Sequence, residues 1–245
     1  IPIAVLGLIT FWLYRRLVRA TAVPRPWSRL AAVVLVVLCA LVVVGFLSGR
    51  SLDPGWARYP AFVGMTWMAV CLYLILGIVV IGAVSLIARV VHRIRSGDDE
   101  VFARRRLSAL RVSTAAVVIG SMAVVGYGLT EAADPEVTTT RVELAGLPTG
   151  FDGVRVAVIS DLHVGPIRDA AFTRTVVDRV MAQSPDLIVL TGDLTDGTVA
   201  RVGKDLDPLR DLSAPLGVFA VSGNHEFYAD DGGRWFDYWT RLGLR

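Results

Sequence analysis

Three polar clusters close three apolar runs of this 245-residue chain. Asp161-Leu162-His163 follows "VAVIS", Gly192-Asp193-Leu194-Thr195-Asp196 follows "DLIVLT", and Gly223-Asn224-His225-Glu226 follows "GVFAVS". Burying a charge without a partner is expensive. A carboxylate and an imidazole two residues apart at a strand end therefore belong at the strand mouth, or against something positive. Carboxylate, imidazole and amide oxygen form a mixed oxygen–nitrogen donor set suited to Mn, Fe, Zn or a similar first-row metal. Thiolate chemistry is excluded there, because the only cysteines, Cys39 and Cys71, lie in apolar runs far upstream. A central carboxylate such as Asp193 has two oxygens and can bridge two metal ions roughly 3.5–4 Å apart, a pair that activates a hydroxide while neutralising phosphate oxygens. The plainer alternative makes Asp161, Asp193 and Asn224 strand-end caps, His163 a hydrogen-bonded core residue, and Asp196 and Glu226 turn or cap residues.

Spacing says which elements must hold the clusters. Asp161 and Asp193 are 32 residues apart, Asp193 and Asn224 31. A strand–helix repeat takes about 30 residues, so all three clusters can sit at one edge of one sheet. Open α/β sheets place their ligand sites beyond the carboxyl ends of the strands. Alternation over Val137–Leu144 predicts a first strand, and Val154–Ile159 reads as a buried one. Ala170–Gln183 has helical spacing, with Phe172, Val176, Val177 and Val180 on one side, and Pro185 ends it. "DLIVLTGD" predicts the next buried strand, Arg201–Leu212 a helix, "GVFAVSGNHE" a third strand with its exit loop, and "RWFDYWTRLG" a last helix. Strands alternating with helices indicate an α/β domain.

The rest of the chain is of another kind. The hydrophobic fraction is 54% and the mean hydropathy +0.57, high for a water-soluble protein. Residues 1–129 carry 14 Arg against Asp53, Asp98, Asp99 and Glu100, whereas residues 130–245 carry 18 acids against 11 bases. That reversal marks a boundary: a membrane region at 1–129, a linker at 130–136 and the α/β region at 137–245. Leu30–Leu47 and Ala61–Ala88 are uncharged and long enough to cross a bilayer, Val112–Leu129 is a weaker span, and Ile1–Tyr14 reads as the remnant of a fourth. The loop at 15–29 holds five Arg and residues 89–111 hold seven, but residues 48–60 hold only Arg50 and Arg58. Arg-rich loops stay in the cytoplasm, so the α/β region is expected on the opposite side. The positive charge lies between apolar spans, and no nucleic-acid partner is expected. His92, among arginines at a membrane boundary, reads as a headgroup-facing residue.

"DLH", "GDLTD" and "GNHE", in this order and spacing, resemble the calcineurin-like metallophosphoesterase family. "GLPTGFDGVRVAVISDLHVGP" is similar to its bacterial membrane-linked branch of cell-envelope phosphodiesterases. The resemblance covers residues 137–245 and implies an αββα sandwich. It implies that Asp161 and His163 bind a first metal ion, that Asp193 bridges to a second, and that Asn224 binds the second. It implies His225 beside the leaving group as proton donor or charge stabiliser, Glu226 orienting it, and Asp196 supporting the ligands from behind. The implied protein is a membrane-anchored phosphoesterase with two Mn, Fe or Zn ions, hydrolysing a monoester or diester through a metal-bound hydroxide. Proximity to the bilayer suggests a lipid-linked or cell-wall-linked substrate.

The family pattern also carries downstream histidines in "GH" and "GHTH"-like segments, whereas this chain has only His92, His163 and His225. Residues 137–245 are thus expected to be the N-terminal part of the domain, with its C-terminal part beyond residue 245. Residues 1–245 alone are expected to be inactive or very weak, and the intact protein active. The chain opens on Ile1, so its natural start is expected upstream. A competing class is a membrane sensor or ligand-binding protein with a non-catalytic domain of this kind. Transport is disfavoured, since the spans carry no charge at their centres.

Overall fold

The computed structural model describes residues 3–95 and 97–245, which form two compact units. The first comprises the described residues of 1–44 and 63–131, and the second residues 45–62 and 132–245.

The helices of the N-terminal part are α1 (Ile3–Tyr14), α2 (Arg25–Leu47), α3 (Pro54–Arg95) and α4 (Asp99–Ala133). The expected spans at 30–47, 61–88 and 112–129 lie inside α2, α3 and α4, and these three are long and apolar enough to cross a membrane. The fourth expected span, Ile1–Tyr14, is described from Ile3 as a 12-residue helix. Large apolar side chains stay exposed along the long helices, among them Val36, Leu76 and Ile119. Such a surface suits hydrocarbon, not water. Inside the first unit, Leu13, Val70, Leu74, Ile78 and Val125 pack together. A Cβ on Gly64 would fall 2.1 Å from the Leu41 carbonyl oxygen, so α2 and α3 touch backbone to backbone, as small residues permit between membrane helices.

The second unit is built on three parallel strands in the order β1 (Val156–Ile159), β2 (Leu187–Leu190), β3 (Val218–Ala220). Val156 pairs with Leu187 and Ile188 with Val218. Between and after the strands come α5 (Ala170–Ala182), α6 (Val199–Val202), α7 (His225–Ala229) and α8 (Gly232–Arg241). The Asp169 carboxylate starts α5 by accepting the N–H groups of Ala171 and Phe172. One face of the sheet buries Ile159, Ile188 and Leu190 against Val177 of α5, Leu206, and the two tryptophans Trp235 and Trp239 of α8.

Three expectations change. Val137–Leu144 forms no strand: Val142 and Leu144 are exposed. Alternation describes two faces of a chain, but a strand also needs a ladder partner. The helix expected at Arg201–Leu212 is the single turn of α6 followed by tighter 3₁₀ turns over Gly203–Asp211. Gly203 packs within van der Waals reach of the Tyr238 ring, and Pro208 has no N–H to donate. The Tyr238 hydroxyl donates to Asp207 at 2.6 Å; burial first, then Asp207, pushes that phenol up to about 12. Finally, β1 is buried on one side only, since Val156 and Val158 are exposed.

Candidate metal centre

The β1–β2 ladder continues past the strand ends. The N–H groups of Asp161, His163 and Val164 donate to the carbonyls of Gly192, Asp193 and Leu194, and Asp196 N–H returns to Val164 at 2.8 Å. The first two clusters are therefore zipped side by side at the carboxyl edge of the sheet. Asp161, His163 and Asp193 all have positive φ, at 54°, 47° and 51°. This left-handed backbone costs an L-residue about 1–2 kcal/mol, and such strain concentrates at functional sites.

Glycine is required at 192. Its φ is 92°, and a Cβ there would fall 2.2 Å from the Gly223 nitrogen, so the loops after β2 and β3 meet backbone to backbone. Gly192→Ala is expected to cost about 1–3 kcal/mol of overpacking, plus left-handed strain of about 1 kcal/mol. The check is a lowered unfolding midpoint of the second unit in the intact protein; an unchanged midpoint would contradict it.

The side chains converge on two overlapping groups. One is Asp161, His163 and Asp193; the other is His163, Asp196 and His225; in each the donor atoms lie within 4.8 Å of one another. Asp196 Oδ1 accepts from both imidazoles, 2.9 Å from Nδ1 of His163 and 2.6 Å from Nδ1 of His225. These bonds assign the Nδ1 proton of each neutral ring, leaving Nε2 with a lone pair. Nε2 of His163 lies 3.6 Å from Asp161 Oδ1, and the two rings meet edge-on with centroids 4.4 Å apart. The Ser160 hydroxyl donates to Asp161, and Asp193 Oδ1 accepts the His225 N–H at 2.8 Å. The Asp161 and Asp193 carboxylates, with oxygens within 4.8 Å of each other, repel unless a cation or a proton neutralises them. The converging oxygen and nitrogen donors, half-buried except for the exposed Asp161, fit first-row metal ions.

Asn224 stands exposed at the N-terminus of α7, and its side chain makes no capping bond there. Glu226 is hydrogen-bonded to backbone and not to the His225 ring. It is fully buried, and its hydrogen bonds come from backbone: Asp193 N–H at 3.2 Å, Leu194 N–H at 2.7 Å and Gly223 N–H at 2.8 Å. It fastens the loops after β2 and β3 together. Sequence reasoning missed Arg168, whose guanidinium donates to the carbonyls of Asp161 and Leu162 while covering the Phe172 ring. A lone arginine just after the first cluster was the available signal.

Residues 154–244 match the calcineurin-like phosphoesterase family. Along 98% of its length the chain is 28% identical to a Danio rerio "Transmembrane protein with metallophosphoesterase domain", and over 133 residues it is 35% identical to the Bos taurus protein of that name. It is also 36% identical over 87 residues to an "Uncharacterized metallophosphoesterase" of Aquifex aeolicus, covering 36% of this chain and 33% of that protein. The chain spans 54% of the Danio rerio relative and, with 54% of its own length, 30% of the Bos taurus one. No solved structure matches the chain. The chain thus carries, after three helices long and apolar enough to cross a membrane, a calcineurin-like metallophosphoesterase domain.

Proposed function

We propose that the intact protein is a multi-pass, membrane-anchored, metal-dependent phosphoesterase whose catalytic domain lies outside the cytoplasmic membrane. The observation that carries this reading is the gathering of Asp161, His163 and Asp193 donor atoms within 4.8 Å at the mouth of a parallel sheet, in a domain of phosphoesterase family. Asp161 and His163 would hold one ion, and Asp193 and Asn224 would serve a second. When bound, two such ions polarise phosphoryl oxygens and acidify a water to near-neutral pKa. Asp196 orients His163 by holding its Nδ1 proton, so that Nε2 is the donor atom. In this reading His225, whose Nδ1 lies 2.6 Å from Asp196 Oδ1, stands beside the leaving oxygen as proton donor or charge stabiliser.

Two features support the orientation. The Arg-rich segments lie at 15–29 and 89–111, and the Arg-poor residues 48–60 belong to the same compact unit as the phosphoesterase domain. By the preference of basic loops for the cytoplasm, that unit faces outward. A substrate phosphate carried by a lipid or by the cell wall follows from the tether.

The test is hydrolysis of a chromogenic phosphodiester and monoester by the natural full-length protein with Mn, Fe or Zn. Chelation is expected to reduce the rate to background, and readdition to restore it. A full-length protein that binds metal and hydrolyses neither ester would overturn the reading in favour of binding without turnover.

A further inference from the structure

We propose that residues 48–58, the loop after α2 and the first turn of α3, are a positioning element of the metal centre, holding the Asp196–Thr198 loop and with it the carboxylate shared by His163 and His225. The catalytic consequence rests on the proposed function; the mechanical one does not. The Gly49 carbonyl accepts the Thr198 N–H at 2.9 Å. Gly49 is buried with φ at +78°, and a Cβ there would lie 3.0 Å from the Asp196 carbonyl oxygen and 3.1 Å from Pro166 Cγ. A Cβ on Gly197 would lie 2.8 Å from the Gly49 oxygen, and one on Gly165 3.1 Å from Asp196 Cβ. Asp196 is therefore packed among glycines whose missing side chains set its position.

Charged contacts fasten the segment from both ends. Asp53 pairs with Arg201 of α6 at 3.1 Å. Arg58 pairs with Asp169 at 2.7 Å and Asp205 at 2.9 Å, the carboxylates that receive the N–H groups at the start of α5. Arg58 and Asp205 are only 25% and 18% exposed, so solvent screens this pair less than a surface one. Arg58 and Asp205 lie 147 residues apart in sequence, so the α2–α3 loop and the start of α3 pack into the same compact unit as residues 132–245. A carboxylate that orients imidazoles acts through its position, and outer supports of this kind tune metal affinity or activity 10–100-fold.

The experiment uses the full-length protein in detergent, comparing Gly49→Ala, Arg58→Met, Arg58→Lys and, as a control, Arg50→Ala at an exposed position of the segment. Amide exchange over residues 196–201 is measured without metal or substrate, followed by Mn²⁺ affinity, kcat and KM. Gly49→Ala and Arg58→Met are expected to speed exchange at Thr198 on the order of tenfold, the equivalent of one lost hydrogen bond. They are expected to weaken Mn²⁺ binding and lower kcat roughly 10–100-fold with KM little changed. Arg58→Lys is expected to recover part of each loss, and Arg50→Ala to behave as wild type. Should Gly49→Ala prevent folding, Arg58→Met leaves the glycine backbone intact and decides alone. Unchanged exchange and Mn²⁺ affinity in Arg58→Met would overturn the proposal. A wild type that hydrolyses no phosphoester, with exchange at 196–201 still responding to Arg58→Met, would overturn the proposed activity and leave the positioning role standing.

Discussion

If the proposed function holds, Asp193→Asn is expected to lower kcat of the intact protein by about 10³-fold, the scale on which loss of one preorganised electrostatic group falls. The substitution isolates charge from shape. Asp193 sits at φ 51°, and asparagine is among the few residues that visit the left-handed region readily. Its Oδ1 can still accept the His225 N–H, now 2.8 Å from the carboxylate. The fold should survive, and the unfolding midpoint should move by only a few degrees. What disappears is one anionic oxygen of the proposed metal centre, so bound metal should fall in parallel with rate. Full activity with full metal content in Asp193→Asn would remove Asp193 from the proposed centre.

Glu226→Leu carries the largest expected loss of stability. It leaves three backbone N–H groups, of Asp193, Leu194 and Gly223, without their acceptor at a site with no solvent exposure. Each unsatisfied buried donor costs about 1–3 kcal/mol, for a total of roughly 3–9 kcal/mol. In a unit of this size the unfolding midpoint should drop by more than about 10 °C. Glu226→Gln should fall between, because one carbonyl oxygen remains while the new amide group faces N–H donors. The sequence resemblance implies a different outcome, with Glu226 orienting His225 and Glu226→Leu losing activity at unchanged stability. A thermal melt of the intact protein, read beside its rate, separates the two.

Sequence by itself determined the coarse architecture and which residue types meet at the sheet edge. Leu30–Leu47, Ala61–Ala88 and Val112–Leu129 announce long apolar helices because lipid demands a continuous run, a purely local property. The clusters at 161–163, 192–196 and 223–226 were legible because strand–helix repeats of about 30 residues return the chain to one sheet edge. Their residue types then restrict the site to hard and borderline cations.

Only the tertiary structure decided what depends on contact between distant segments. Glu226 reaches backbone donors 32 and 33 residues away, and nothing in "GNHE" distinguishes that clamp from a partner of His225. Val137–Leu144 alternates like a strand yet has no ladder, since alternation records which side is apolar and not whether another strand lies alongside. Left-handed backbone at Asp161, His163 and Asp193 follows from zipping two loops together beyond the strand ends, where hydrogen bonding overrides each residue's own preference. The enlistment of Gly49 and Arg58 into the phosphoesterase unit spans more than a hundred residues of intervening chain. Periodicity and motif spacing report the neighbours a residue has along the chain; packing against Asp196 and Asp205 is set by neighbours in space.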